Sequence, residues 1–273
     1  MSYVDANGVH TYYEEHGSGD PLLLLHGGLA DASGFALQTP AFAERYRVLV
    51  PDRRGHGRTP DVDGPITYDV MADDTIALMD DLGTGPAHLV GWSDGGDIGL
   101  LVAIKRPDLV RKLVVMGANF SAAGLTPEAA AAFEPETPTT IVPVMRDMWK
   151  EAAVDPERFD VVFEKMQHCW FDFAIPPADL ARIAAPTLVM AGDDDIARFE
   201  HTIELYETIP DAQLAVIPGA SHVAPIEKPE LVNQLVLDFL SAEGPATTMM
   251  PLRRREQPYW GTMGAWPRAT SPG

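Results

Sequence analysis

Residues 91–95 read Gly-Trp-Ser-Asp-Gly, a serine between two glycines that follows the apolar run Ala87 to Val90 and precedes the apolar-periodic run Ile98 to Lys105. A serine hydroxyl is a poor nucleophile at neutral pH, so it must be activated by a base that a third group orients. A sharp turn from strand to helix would expose Ser93, and flanking glycines let other backbone pass where a Cβ would clash. The base is expected after a late strand, and "LAVIPGASH" ends in His222. The acid is expected between them in sequence, where "TLVMAGDDD" offers Asp193, Asp194 and Asp195. The histidine would take the serine proton and pass it to the leaving group, while the carboxylate fixes the tautomer and stabilises imidazolium.

Acyl transfer also needs donors for the developing oxyanion. "LLLLHGGLA" runs from an apolar stretch into a loop where Gly27 and Gly28 can present an N–H. The second donor would be the N–H of Asp94, at the start of the following helix, where the helix dipole also favours an anion. His26 reads as a brace for that loop. His56, in "DRRGHGRT", lies on a strand-end loop and could approach the site, whereas His10, His16, His88, His168 and His201 read as packing residues.

These groups must be positioned by a sheet. An Asn7-Gly8 hairpin turn opens the chain, since both residues take the positive φ of tight turns. Continuously apolar runs at Leu22 to Leu25, Tyr46 to Val50, Ala87 to Val90, Leu113 to Met116, Thr187 to Ala191 and Leu214 to Ile217 suit strands of a parallel sheet buried on both faces. Helical spacing over Tyr68 to Leu82, Phe199 to Ile209 and Glu230 to Leu240 alternates with them. The pattern predicts an α/β, doubly wound domain whose site lies at the carboxyl ends of the strands.

Residues 119–183 break the alternation. They offer no strand candidate and carry aromatic, proline-punctuated helical stretches, so they are expected to form a helical cap over residues 1–118 and 184–243. Residues 244–273, rich in Pro, Gly and Thr, set Arg253, Arg254, Arg255 and Arg268 against the single acid Glu256 and read as a flexible tail.

A formal charge of −20 argues against nucleic acid or an anionic membrane as a partner. The chain has no leader-like start and no apolar run of membrane-spanning length, which predicts a cytoplasmic protein, a monomer or homodimer. The lone Cys169 cannot form an internal disulfide and no Cys/His spacing suggests a metal, so neither metal nor cofactor is expected.

Taken in order, "HGG", "DRRGHGRT", "GWSDGG", "AGDDD" and "PGASH" resemble the α/β-hydrolase superfamily over about residues 1 to 241. The resemblance implies the α/β-hydrolase fold, with an N-terminal antiparallel hairpin. It selects Asp195 as the acid and Gly28 as the oxyanion donor. It also points to an alternative acid position one strand earlier, where this chain has Asn119, an amide unable to replace a carboxylate. "GWSDGG" with "GANF" is most similar to the branch of small esterases that contains valacyclovir hydrolase. The resemblance thus implies cleavage of a small-molecule ester through an acyl-enzyme. Lactonase, C–C bond hydrolase and perhydrolase chemistry, or a ligand receptor on the same scaffold, stand as alternatives. Leu29, Trp92, Asp94, Phe120, Met145, Trp149 and Trp170 are candidates for the substrate pocket. Asp94, beneath cap acids Glu151, Asp155, Glu157 and Asp160, is expected to favour amine-bearing substrates.

Overall fold

The computed structural model describes residues 2–134 and 141–243. The chain divides into two units, Met1–Leu240 and Ser241–Gly273, and the sheet and the site belong to the first. The sequence-predicted tail, residues 244–273, lies outside the described residues.

Eight strands form one sheet: β1 (Ser2–Ala6), β2 (Val9–Gly17), β3 (Asp20–Leu25), β4 (Tyr46–Pro51), β5 (Ala87–Trp92), β6 (Val110–Met116), β7 (Thr187–Asp194) and β8 (Ala212–Ser221). Their spatial order is β1-β2-β4-β3-β5-β6-β7-β8. The β1–β2 and β2–β4 pairs are antiparallel, and every pair from β4 to β8 is parallel. Asn7 at φ 49° and Gly8 at φ 75° make the hairpin turn. Every residue of β5 is buried, the burial that a strand covered on both faces requires.

The helices, in chain order, are α1 (Thr39–Ala43), α2 (Tyr68–Asp81), α3 (Asp94–Lys105), α4 (Pro127–Phe133), α5 (Ile141–Ala152), α6 (Phe159–Phe171), α7 (Pro177–Leu180), α8 (Phe199–Thr208), α9 (Ala224–Glu227) and α10 (Pro229–Ser241). The alternation along each strand divides the core into two layers. Leu23, Leu25, Leu89 and Val115 face a layer completed by Met71 and Met79 of α2 and Ile98 and Val102 of α3. Leu22, Leu24, Val90 and Val114 face the other, with Phe42 of α1 and Val232 and Val236 of α10. Thr67 caps α2 by accepting the Val70 N–H at 3.2 Å, and Gly83 at φ 58° follows its end.

Helices α4 to α7 all fall between β6 and β7. Phe120, Trp149, Phe159, Val162 and Met166 from this stretch extend the first core layer. Isolated bridges pair Ser121 with Ala174 and Leu125 with Ala197, tying the stretch to itself and to the loop after β7.

Candidate active site

The turn from β5 into α3 carries Ser93 at φ 56°, ψ −126°, a left-handed backbone that a non-glycine residue holds only when its surroundings force it. The force comes from packing. A Cβ on Gly95 would stand 1.8 Å from the Leu25 carbonyl oxygen. Only glycine lets α3 begin this close to the end of β3, and the Ser93 N–H is held by the Met116 carbonyl at 2.7 Å.

His222 follows β8 immediately, and its Nε2 lies 2.9 Å from Ser93 Oγ. On its other side Nδ1 is 2.7 Å from Asp195 Oδ1. Asp195 stands just past β7 and also accepts the Gly192 and Ala197 N–H groups, each at 3.2 Å. Burial pushes the Asp195 carboxyl up, but the His222 hydrogen bond and charge, with the two N–H donors, outweigh it and hold the group below its usual range. An ionised carboxylate fixes Nδ1 as the protonated nitrogen, leaving Nε2 free to accept the serine proton.

The loop after β3 completes the surroundings of the serine. A Cβ built on Gly27 would lie 3.4 Å from Ser93 Cβ and 3.9 Å from Oγ. One on Gly28 would meet Asp94 Oδ2 at 2.5 Å and Trp170 Cζ2 at 3.0 Å. A serine, a histidine hydrogen-bonded to it and to a carboxylate, and a glycine backbone beside the serine together form an arrangement capable of acyl transfer.

A sequence model of the Alpha/beta hydrolase family matches residues 22–235. The chain belongs to this family. Among relatives, it is 32% identical over 259 residues to "Putative carbamate hydrolase RutD" of Caulobacter sp. (strain K31), a match covering 85% of this chain and 96% of that protein. It is 30% identical to "Serine hydrolase BPHL" of Mus musculus, over 87% of this chain and 85% of the relative. Among solved structures, a meta-cleavage product hydrolase of Pseudomonas fluorescens IP01, CumD, superposes with a TM-score of 0.78 at 28% identity, covering 88% and 97% of the two chains.

Within this α/β-hydrolase framework the expected pocket residues separate. Trp170 reaches the site: its Nε1 donates to Asp94 Oδ1 and Oδ2 at 3.1 and 3.2 Å. Leu29 is 5% exposed at φ 55°, packed into the first core layer beside the glycines. Phe120 stacks on His201, the ring centroids 3.8 Å apart. Met145 packs against the same core layer.

Trp92 was expected in the pocket but belongs to the other core layer, because successive residues of a strand point to opposite faces. It meets Phe35 edge-on, and its Nε1 donates to the His222 carbonyl at 2.8 Å. It therefore steadies the base from behind. Trp149 packs edge-on against His56 and Phe159, and borders a water-sized cavity with Gly55, Gly57 and Asp61. His56 does not join the site. Burial, then the Arg53 charge, lowers its imidazole to about 3, and its Nδ1 donates to the Arg54 carbonyl at 2.8 Å.

The amine preference expected from Asp94 finds no support in the geometry. The carboxylate is 5% exposed. Besides Trp170, it accepts the Tyr68 hydroxyl at 2.8 Å and lies 4.0 Å from the Arg53 guanidinium. A substrate ammonium would have to displace partners already in place. The cap acids Glu151, Asp155, Glu157 and Asp160 are all exposed, and Asp160 is paired with Arg146.

Sequence reasoning missed the group beneath the site: Arg53, Tyr68 and Asp97. Asp97 is 3% exposed and accepts the Asn119 N–H at 2.7 Å. Burial, then the adjacent Asp94 charge, raises its carboxyl well above the usual range. The available signal was the charged pair Asp52-Arg53 directly after an apolar strand, where a solvated surface was the easier reading.

Proposed function

We propose that this chain is a serine hydrolase that cleaves small carboxylic esters through an acyl-enzyme. The observation that carries the reading is the continuous line from Ser93 Oγ to His222 Nε2, 2.9 Å, and from His222 Nδ1 to Asp195 Oδ1, 2.7 Å. Ser93 Oγ attacks the ester carbonyl while His222 Nε2 takes its proton. The carbonyl π pair moves onto oxygen, and the N–H groups of Gly28 and Asp94 receive that oxyanion. Collapse expels the alkoxide, which takes the proton from His222, and Asp195 stabilises the imidazolium between the two transfers. Water then repeats the sequence on the acyl-enzyme. Residues 119–183 serve as the lid that shapes the acyl pocket, with Trp170 reaching Asp94 beside the serine, and residues 1–118 and 184–243 are the hydrolase core.

The test is turnover of short p-nitrophenyl esters beside matched carbamates, lactones and vinylogous 1,5-diketones. The ester reading predicts the highest kcat/KM on esters and complete loss in Ser93→Ala. The carbamate chemistry in the name of RutD and the meta-cleavage chemistry in that of CumD are the competing outcomes, and preference for either class would replace the ester reading.

A further inference from the structure

Arg53 is a charged side chain buried to 5% exposure immediately behind the loop that flanks Ser93. Burying a guanidinium costs several kcal/mol unless it is paired and hydrogen-bonded. Its shortest hydrogen bond is to a backbone atom: Nη2 donates to the Gly27 carbonyl oxygen at 2.7 Å. The same oxygen lies 2.8 Å from His26 Nδ1. The Arg53 backbone N–H occupies His26 Nε2 at 3.1 Å, so the proton of the neutral ring sits on Nδ1 and that nitrogen also donates to Gly27. Burial, then the Arg53 and His56 charges, holds His26 well below its usual range, in keeping with a neutral imidazole.

The Gly27 carbonyl and the Gly28 N–H belong to one peptide group, and it is trans. In a trans peptide the C=O and N–H point in opposite directions. Two donors clamping the oxygen therefore aim the Gly28 N–H away from Arg53. Glycine on both sides gives this peptide unusual freedom to flip, and the clamp removes it. Withdrawing electron density from the oxygen also makes the N–H a stronger donor. Arg53 has a second effect nearby. The carboxylate of Asp94, which a Gly28 Cβ would meet at 2.5 Å, would oppose a neighbouring oxyanion. The guanidinium, 4.0 Å from Asp94 Oδ2, offsets that field.

We infer that Arg53 is a positioning residue for the oxyanion hole, acting through the Gly27–Gly28 peptide that it clamps together with His26 and compensating the charge of Asp94. The inference rests on the serine hydrolase reading above, because it needs an oxyanion to form at Gly28.

An alkyl trifluoromethyl ketone labelled with 13C at the carbonyl tests it. Ser93 Oγ adds to the carbonyl carbon, the π pair moves to oxygen and the serine proton passes to His222, so the hemiketal oxygen occupies the oxyanion position. The pH dependence of the 13C shift then gives that oxygen's pKa. Arg53→Gln should raise it by about one unit and lower kcat by about tenfold, with KM within about twofold of wild type. Arg53→Lys, which keeps the charge but loses the planar fork, should give a smaller rise, and it supplies the reading if Arg53→Gln does not fold. A hemiketal pKa equal to wild type in whichever variants fold would overturn the inference while leaving the serine hydrolase reading intact. Failure of the wild type to form a hemiketal would instead remove the reading and the inference with it.

Discussion

The two sides of Ser93 are built from different materials. Toward His222 the site is a relay of side chains, each hydrogen-bonded to the next and each delivered by the loop after its own strand. Toward Gly28 it is backbone, held from behind by charged groups that never reach the serine. The difference teaches where each half is vulnerable. The relay is expected to fail when one of its side chains is removed. The oxyanion side is expected to fail when something small is added, or when a buried charge is lost.

The comparison can be broken most severely at the relay. Ser93→Ala is expected to lower kcat on an active ester by about 10⁴-fold or more, measured by steady-state kinetics. Asp195→Asn keeps the shape but frees His222 to adopt the wrong tautomer, and a loss of about 10³ to 10⁴-fold in kcat is expected. A near-normal rate in this variant would mean that another group orients the histidine.

The oxyanion side predicts a smaller, differently shaped loss. Gly28→Ala must push aside Asp94 Oδ2 and Trp170, which a methyl would approach to 2.5 and 3.0 Å. A fall of about 10 to 100-fold in kcat is expected, with KM little changed. A rise in KM alone would place Gly28 in ground-state binding.

Asp52 sharpens the contrast through pH. Buried at the end of β4, it accepts the Ala32 N–H at 2.7 Å and the Arg58 N–H at 2.8 Å, bracing the two loops behind the oxyanion side. Burial raises its carboxyl from 3.8 to about 6 despite those donors. Between about pH 4 and 6 the native protein thus holds a proton that the unfolded chain releases, so this group's contribution to stability falls as pH rises. The stability of wild type minus that of Asp52→Asn, from denaturant titrations, should shrink across this window. A difference that stayed level or grew would show the carboxylate to be ionised in the native protein across the window. The smallest expected effect is at Trp92. Trp92→Phe loses the 2.8 Å bond to the His222 carbonyl and should cost about 1 kcal/mol of stability and a few-fold in kcat.

The same contrast explains what the sequence made legible. Ser93, Asp195 and His222 lie in line at strand ends, and strand ends follow from apolar runs such as Leu22 to Leu25 and Ala87 to Val90. The fold and the placement of these three side chains at strand ends were therefore readable, the choice among Asp193, Asp194 and Asp195 needing the family resemblance as well. Arg53 acts through a peptide group that it meets only after folding, and nothing in "DRRGHGRT" distinguishes a buried arginine from a solvated one. Trp92 was misassigned for a simpler reason. It adjoins the nucleophile in sequence, but the period of two along β5 turns its side chain to the opposite core layer. Trp149 and Trp170 belong to the consecutive helices α5 and α6 and look alike in sequence. Only packing sends one toward His56 and the other to Asp94.

The most direct measurement is covalent labelling with a fluorophosphonate, followed by peptide mass spectrometry, in parallel with p-nitrophenyl ester turnover. One adduct is expected, on Ser93, formed at a rate that falls with turnover in Asp195→Asn and absent in Ser93→Ala. Label on another residue, or ester turnover that survives Ser93→Ala, would contradict it.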